Sequence, residues 1–70
     1  MNEIKIKTEY IKLNQFLKLC GAAETGGEAD EKIKAGRVKI NGEICTMRGK
    51  KLRGGETVDA FGTQYMVGKI

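Results

Sequence analysis

Apolar and polar residues alternate near the start of the chain, within residues 3–8. Ile4 and Ile6 are separated by Lys5 and followed by Lys7, so one side of this segment is apolar and the other is cationic. A period of two is typical of a half-buried strand. We expect a short amphipathic strand that pairs with a strand distant in the sequence.

The next apolar residues have the spacing of a helix. They fall at positions i, i+3, i+4 and i+7: Leu13, Phe16, Leu17 and Cys20. This stripe predicts a helix that places Asn14 and Lys18 on its opposite side and ends at Gly21. Lys12 lies just before or at the helix start, where unpaired backbone N–H groups beside a cation would suit an anion. A solvated lysine is the plainer interpretation.

A capping signal and the spacing of Ala29 and Ile33 predict a second helix. Thr25 and Glu28 are three residues apart, the separation at which a hydroxyl and a carboxylate can each accept a hydrogen bond from the other's backbone N–H. The intervening glycines could instead let a phosphate approach, but we favour capping, because Glu28 would compete with the phosphate. Two i, i+4 pairs should support the helix: Glu28 with Lys32 and Asp30 with Lys34.

This helix should end at Ala35, with Gly36 in the left-handed conformation that caps many helices. The period then changes to two, and Val38 and Ile40 point to the same side of a predicted strand. The other side carries polar residues: Arg37, Lys39 and Asn41. One face of the strand is therefore expected to join the core, and the other to be cationic.

Asn41-Gly42 is a strong hairpin signal, because a two-residue type I′ turn needs positive φ at both central positions. The returning strand then places Ile44 beside the cations and Cys45 on the core side. Since Cys20 lies on the apolar stripe of the first helix, we expect both cysteines to be buried and unpaired.

The last third of the chain combines a basic loop with a second hairpin. The basic loop, residues 46–55, is punctuated by glycines, and Leu52 is its expected anchor to the core. Residues 57–61 and 63–67 alternate again around Gly62. The predicted fold is α+β, with two short helices packed on a small mixed or antiparallel β-sheet.

Charge is unevenly distributed along the 70 residues, which we expect to form one domain over residues 1–70. The net charge is +4, yet the segment from Lys32 to Arg53 holds eight cations and only one acid, Glu43. The cations are Lys32, Lys34, Arg37, Lys39, Arg48, Lys50, Lys51 and Arg53. A phosphate backbone is the commonest partner of such a segment. A solvated face explains the charge count alone equally well.

The chain lacks the residues that several kinds of chemistry require. The chain has no histidine and no serine, and its two cysteines are far apart, which argues against a zinc site, a cofactor and a serine or cysteine nucleophile with a histidine base. We therefore expect no enzymatic activity and no small-molecule substrate. No segment has the length or pattern of a membrane span or a signal peptide, so a cytoplasmic protein is expected.

Two predicted helices are followed by Lys-Ala-Gly-Arg-Val-Lys-Ile-Asn-Gly and by a basic loop that runs into Gly-Gly-Glu-Thr-Val. This combination, over roughly residues 13–58, resembles the S4 RNA-binding domain, named for a small-subunit ribosomal protein. Three further segments resemble the small stand-alone bacterial members: Glu-Tyr-Ile-Lys-Leu-Asn-Gln-Phe-Leu-Lys, Thr-Gly-Gly-Glu-Ala and Arg-Gly-Lys-Lys-Leu.

The resemblance implies an αL motif that binds structured RNA, ribosomal or transfer RNA, with the ribosome as a candidate partner and the protein as a monomer. It assigns RNA contacts to matching positions: Lys12, Thr25, Gly27, Lys34, Arg37, Lys39, Asn41, Arg48, Lys50, Lys51 and Arg53. Gly26 stands where many members carry an arginine, which shifts the expected binding toward the basic loop.

Two other functions fit the same residues. In the first, the protein is an adaptor whose cations meet an acidic protein partner, while Tyr10, Tyr65 or Ile44 adds an apolar contact. In the second, it is an accessory module of an RNA-modifying enzyme. Either tyrosine could stack on a base, although packing against the protein is the favoured interpretation.

Overall fold

The computed structural model describes residues 2–70, in which two helices and seven strands follow one another along the chain. They are β1 (Asn2–Ile6), β2 (Ile11–Lys12), α1 (Leu13–Leu19), α2 (Gly26–Lys34), β3 (Val38–Ile40), β4 (Glu43–Ile44), β5 (Lys51–Leu52), β6 (Thr57–Ala60) and β7 (Thr63–Lys69). Within residues 2–70, neither helix is long and apolar enough to cross a membrane.

Five strands form one mixed sheet in the order β1-β7-β6-β3-β4. β1 pairs with β7 in parallel and the other neighbours are antiparallel, with Ile4 opposite Val67 in the parallel pair. The predicted α+β fold and the long-range pairing of the first strand are confirmed. β2 and β5 form a separate two-stranded sheet that the sequence pattern did not predict.

The core lies between the helices and one face of the larger sheet. The fully buried large side chains come from both layers and from the basic loop: Leu13, Phe16, Leu17, Ile33, Val38, Leu52, Val58 and Val67. Phe16 also meets the edge of the Tyr65 ring, with the centroids 6.4 Å apart. Tyr65 therefore packs against the protein, as favoured, and Leu52 anchors the basic loop as predicted.

The predicted boundaries of α2 are confirmed at both ends. Thr25 accepts a hydrogen bond from the Glu28 backbone N–H at 3.1 Å, and Gly36 beyond the helix has a φ of +76°. The Glu28 carboxylate lies 3.6 Å from Lys32, as predicted for this pair. The predicted pair between Asp30 and Lys34 is wrong: the two form no ion pair, and the Asp30 carboxylate instead accepts charge-assisted hydrogen bonds from Asn14 and Arg48.

The central hairpin has the predicted two-residue turn, with φ of 51° at Asn41 and 86° at Gly42. Both cysteines are unpaired, but each is only half buried, so the prediction of burial is wrong. Cys20 follows the last residue of α1, and Cys45 follows the end of β4, the edge strand of the sheet. Neither position has structure on all sides.

Replacing Gly36 or Gly42 with alanine is expected to lower the free energy of unfolding by about 1 kcal/mol or more. The cost is in the backbone, because a Cβ on Gly36 would come no closer than 3.6 Å to Ile44 and one on Gly42 would meet no atom within 4 Å. Urea unfolding measures the change. Gly49→Ala, at a residue without positive φ and with open space around it, is the control. Alanine variants at Gly36 and Gly42 that are as stable as this control would contradict the prediction.

Candidate nucleic-acid interface

The basic loop is hydrogen bonded to the start of α1. The Leu13 N–H donates to the Lys50 carbonyl at 2.8 Å, and the Asn14 N–H donates to the Arg48 carbonyl at 3.1 Å. Neither N–H group is therefore available to bind an anion, and the alternative interpretation of an anion site at this helix start is wrong for these two donors. The bonds instead hold the backbone of the loop cations in place.

Pairing of β2 with β5 brings two lysines together. Lys12 lies opposite Lys51, while Ile11 lies opposite the buried Leu52. Directly opposed residues of antiparallel strands point to the same face, and two like charges there repel each other. A bound anion would relieve that repulsion.

Tyr10, which comes just before β2, contacts two cations of the basic loop, Lys51 and Arg53. The Lys51 ammonium is 4.8 Å from the centre of the Tyr10 ring, and the Arg53 guanidinium carbon is 5.6 Å from it. Arg53 also lies 3.6 Å from the Glu9 carboxylate, but both side chains are largely exposed, so this ion pair contributes little. The exposed cations Lys12, Lys50, Lys51 and Arg53 together form the β2–β5 cationic surface.

An open groove of about 680 Å³ separates the central hairpin from the basic loop. Three of the four cations line it, together with exposed apolar side chains of Ile44 and Met47. Its other lining residues are Ile40, Asn41, Glu43, Cys45, Thr46 and Glu56. The groove thus combines positive charge with an apolar wall, which suits both a phosphate backbone and the faces of bases.

Glu56 is an acid in the groove whose carboxylate is already bound. It accepts hydrogen bonds from the backbone N–H groups of Arg53 at 2.8 Å and Gly54 at 2.7 Å. Burial acts to raise the pKa of the Glu56 carboxyl, but these donors lower it, and the net direction is downward. Glu56 therefore shapes the turn that presents Arg53.

Arg48 is paired more strongly than the sequence suggested. Its guanidinium donates to Asp30 at 2.9 Å, and the Asn14 amide donates to the other oxygen of the same carboxylate at 3.0 Å. Although Glu43 is the only acid within the cationic segment, Arg48 is therefore paired with an acid that precedes that segment. The prediction that Asn14 lies on the solvent side of its helix is wrong: Asn14 is half buried and joins both helices to the basic loop.

Some of the remaining predicted contact residues also have structural partners. The Thr25 hydroxyl caps α2, and the Asn41 side-chain oxygen accepts the Thr57 N–H at 3.0 Å, whereas Gly27 is exposed in the first turn of α2. Lys34 is exposed in the last turn of α2, and Lys39 is exposed on the sheet. Lys39 has Ile44 on one neighbouring strand and Asp59 on the other.

Three residues that were not among the expected RNA contacts have a part in these surfaces. Lys69 donates to the carbonyls of Thr8 at 3.0 Å and Glu9 at 2.9 Å, and so fixes the segment before Tyr10. Lys32 and Phe61 form a second cationic cluster with Arg37. The Lys69 contact spans some 60 residues and leaves no local pattern, whereas an aromatic residue before Gly62 was a visible signal. No group of three or more acidic, cysteine or histidine side chains in residues 2–70 could hold a metal ion.

Asp30→Asn is expected to weaken the acid dependence of stability. Hydrogen bonds from Arg48 and then Asn14 lower the pKa of the Asp30 carboxyl in the folded chain. A lowered folded-state pKa stabilises the protein above the ordinary carboxyl pKa of about 4, and this stabilisation is lost as the pH falls through the folded value. The variant should therefore be less stable near neutral pH and lose less stability on acidification.

Urea unfolding at several pH values from about 2 to about 7 measures this dependence. Glu31→Gln, which removes an exposed carboxylate from the same helix, is the matched control. A pH profile for Asp30→Asn that parallels the profile of the parent protein would contradict the prediction.

Comparison with known proteins adds a family model and close relatives. Residues 4–68 match the model described as S4 domain. A Bacillus subtilis (strain 168) protein named "Probable ribosome maturation protein RlbA" is 41% identical over 61 residues, which cover 87% of this chain and 86% of the relative. An Escherichia coli (strain K12) protein named "Putative RNA-binding protein YbcJ" is 34% identical over 61 residues, 87% of each chain.

Proposed function

Because the chain belongs to the S4 domain family, we propose that it is a non-catalytic RNA-binding protein that holds structured RNA on the β2–β5 cationic surface and the adjoining groove. The RNA lies against the central hairpin and the basic loop. The protein acts as a monomer and needs no cofactor.

The observation that carries this proposal is the pairing of Lys12 with Lys51 on a backbone fixed by the helix. Two lysines held side by side repel each other, and a phosphate between them removes the repulsion. Because Lys50 and Arg53 extend the same surface along the groove, successive phosphates of one strand can be bound. Because the backbone hydrogen bonds already order the loop, it loses little conformational entropy on binding.

Recognition on such a surface depends on the shape of the RNA more than on its sequence. Lysine and arginine contacts to phosphates position a nucleic acid but do not distinguish its bases. Folded RNA presents phosphates in fixed arrangements, and its unpaired bases can stack on exposed side chains. Tyr10 and the apolar wall formed by Ile44 and Met47 are the groups available for such stacking.

Ribosomal RNA is the first candidate ligand. The relative from Bacillus subtilis is named for ribosome maturation, and the alignment with it covers most of both chains. Crosslinking the protein to RNA in cells and sequencing the attached fragments tests this step. Fragments drawn mainly from ribosomal RNA would support this candidate. Fragments drawn mainly from transfer RNA would contradict it and make transfer RNA the candidate ligand.

Titration of the purified parent protein tests the proposal itself. The ligands are a folded ribosomal RNA fragment, an unstructured RNA of equal length and polyglutamate of equal charge, each at several salt concentrations. We expect the tightest binding for the folded RNA, with an affinity that falls as salt rises. Equal binding of folded RNA and polyglutamate would favour the adaptor function, and no binding of any RNA would overturn the proposal.

A further inference from the structure

A second group of cations gathers around one aromatic ring. The Lys32 ammonium, in the last turn of α2, lies 4.3 Å from the centre of the Phe61 ring. The Arg37 guanidinium carbon, just before β3, lies 5.6 Å from the same centre. The negative face of an aromatic ring attracts cations, so the Phe61 ring is a shared contact of two like-charged side chains.

The backbone of Phe61 suggests that the ring is kept for a reason other than the turn. Phe61 and Gly62 are the two central residues of the turn between β6 and β7, with φ of 54° and 91°. Asparagine or glycine adopts positive φ at this position with less strain than phenylalanine does. A side chain that strains a turn and is only half buried is a candidate for a functional role.

The two cations differ in their acidic neighbours. Lys32 lies 3.6 Å from Glu28, and both of these side chains are partly exposed. Within residues 2–70, Arg37 has no carboxylate within ion-pairing distance. The guanidinium fork of Arg37 is thus open to a planar or tetrahedral anion, and the Lys32 ammonium adds a second positive charge at the same ring.

We propose that Lys32 and Arg37, held together by Phe61, form a second phosphate-binding contact for the RNA. This proposal rests on the proposed function and adds Lys32 and Phe61 to its residues. Phe61 is a positioning residue, since it acts through the two cations. One backbone phosphate binds the Arg37 fork and the Lys32 ammonium, so a single RNA is held both here and on the β2–β5 cationic surface.

Phe61→Leu tests the proposal without changing any charge. If the two cations separate, one phosphate contact is lost, and the slope of log affinity against log salt should become shallower by about 0.7 to 0.9. When the variant and the parent protein bind equally at 1 M salt, this change in slope corresponds to about a 5- to 8-fold loss of affinity at 0.1 M salt. Phe61→Tyr retains the ring and should keep the slope and the affinity of the parent protein.

Phe61→Asn keeps the test valid if the leucine variant does not fold. Asparagine suits positive φ, so the turn of this variant is less strained. Because the ring is also absent, the variant should show the same shallower slope and the same loss of affinity as those expected for Phe61→Leu. A folded Phe61→Leu or Phe61→Asn variant with the parent slope and affinity would overturn this contact alone. A parent protein that binds no RNA would overturn the proposed function together with it.

Discussion

Leu52→Ala is expected to lower the free energy of unfolding by about 2–5 kcal/mol. Leu52 is fully buried, while Lys51 and Arg53 on either side of it are exposed. The substitution leaves a cavity beneath β5 and removes the apolar anchor of the basic loop. Because a core of this size supplies only about 3–5 kcal/mol in total, a large unfolded fraction should be present even without denaturant.

Urea unfolding followed by circular dichroism measures the effect of Leu52→Ala. Met47→Ala is the matched control, because Met47 is an apolar residue of the same loop whose side chain is 65% exposed. Its free energy of unfolding should change by no more than about 0.5 kcal/mol. Equal effects of the two substitutions would mean that the basic loop is not anchored through Leu52.

Replacing Lys50 and Lys51 together with alanine is expected to weaken binding of folded RNA about 25- to 60-fold at 0.1 M salt. Each phosphate contact contributes about 0.7 to 0.9 to the slope of log affinity against log salt, and the double variant loses two contacts. The fold-loss is this change in slope taken over the tenfold range from 1 M salt, where the two proteins bind equally, to 0.1 M salt. Each single substitution should remove about half of the change in slope. Stability should change little, because both side chains are exposed.

The matched control replaces Lys5 and Lys18 with alanine. These lysines carry the same charge but lie on β1 and on the exposed side of α1. The slopes are measured by titrating the same folded RNA at several salt concentrations. Equal losses in the two double variants would show that the RNA responds only to net charge and not to the β2–β5 cationic surface.

Features set by neighbouring residues were predictable from the sequence. The Asn41-Gly42 turn, the Thr25 cap and the stop at Gly36 each depend on residues within one turn of backbone. The alternation of Val38 and Ile40 with the intervening Lys39 likewise identified the buried side of β3. Such signals are strong because backbone sterics and local hydrogen bonds restrict the same residue types wherever they occur.

Features set by distant residues were not predictable in this way. β2 and β5 have two residues each, too few to show a period, and the strands that pair lie far apart in the sequence. Asp30 had a suitable partner one turn away, but in the folded chain its carboxylate accepts hydrogen bonds from Arg48 and Asn14. Local charge spacing therefore identified cationic residues without showing which of them are paired.

The parallel pairing of β1 with β7 has a kinetic consequence. Strands β3 and β4, like β6 and β7, are joined by two-residue turns and can pair early, whereas β1 must wait for residues some 60 positions further along the chain. Closing so long a loop has a high entropic barrier until the other strands provide a surface on which to dock. We therefore expect β1 to be added last when the chain folds, after the central hairpin and the basic loop have formed.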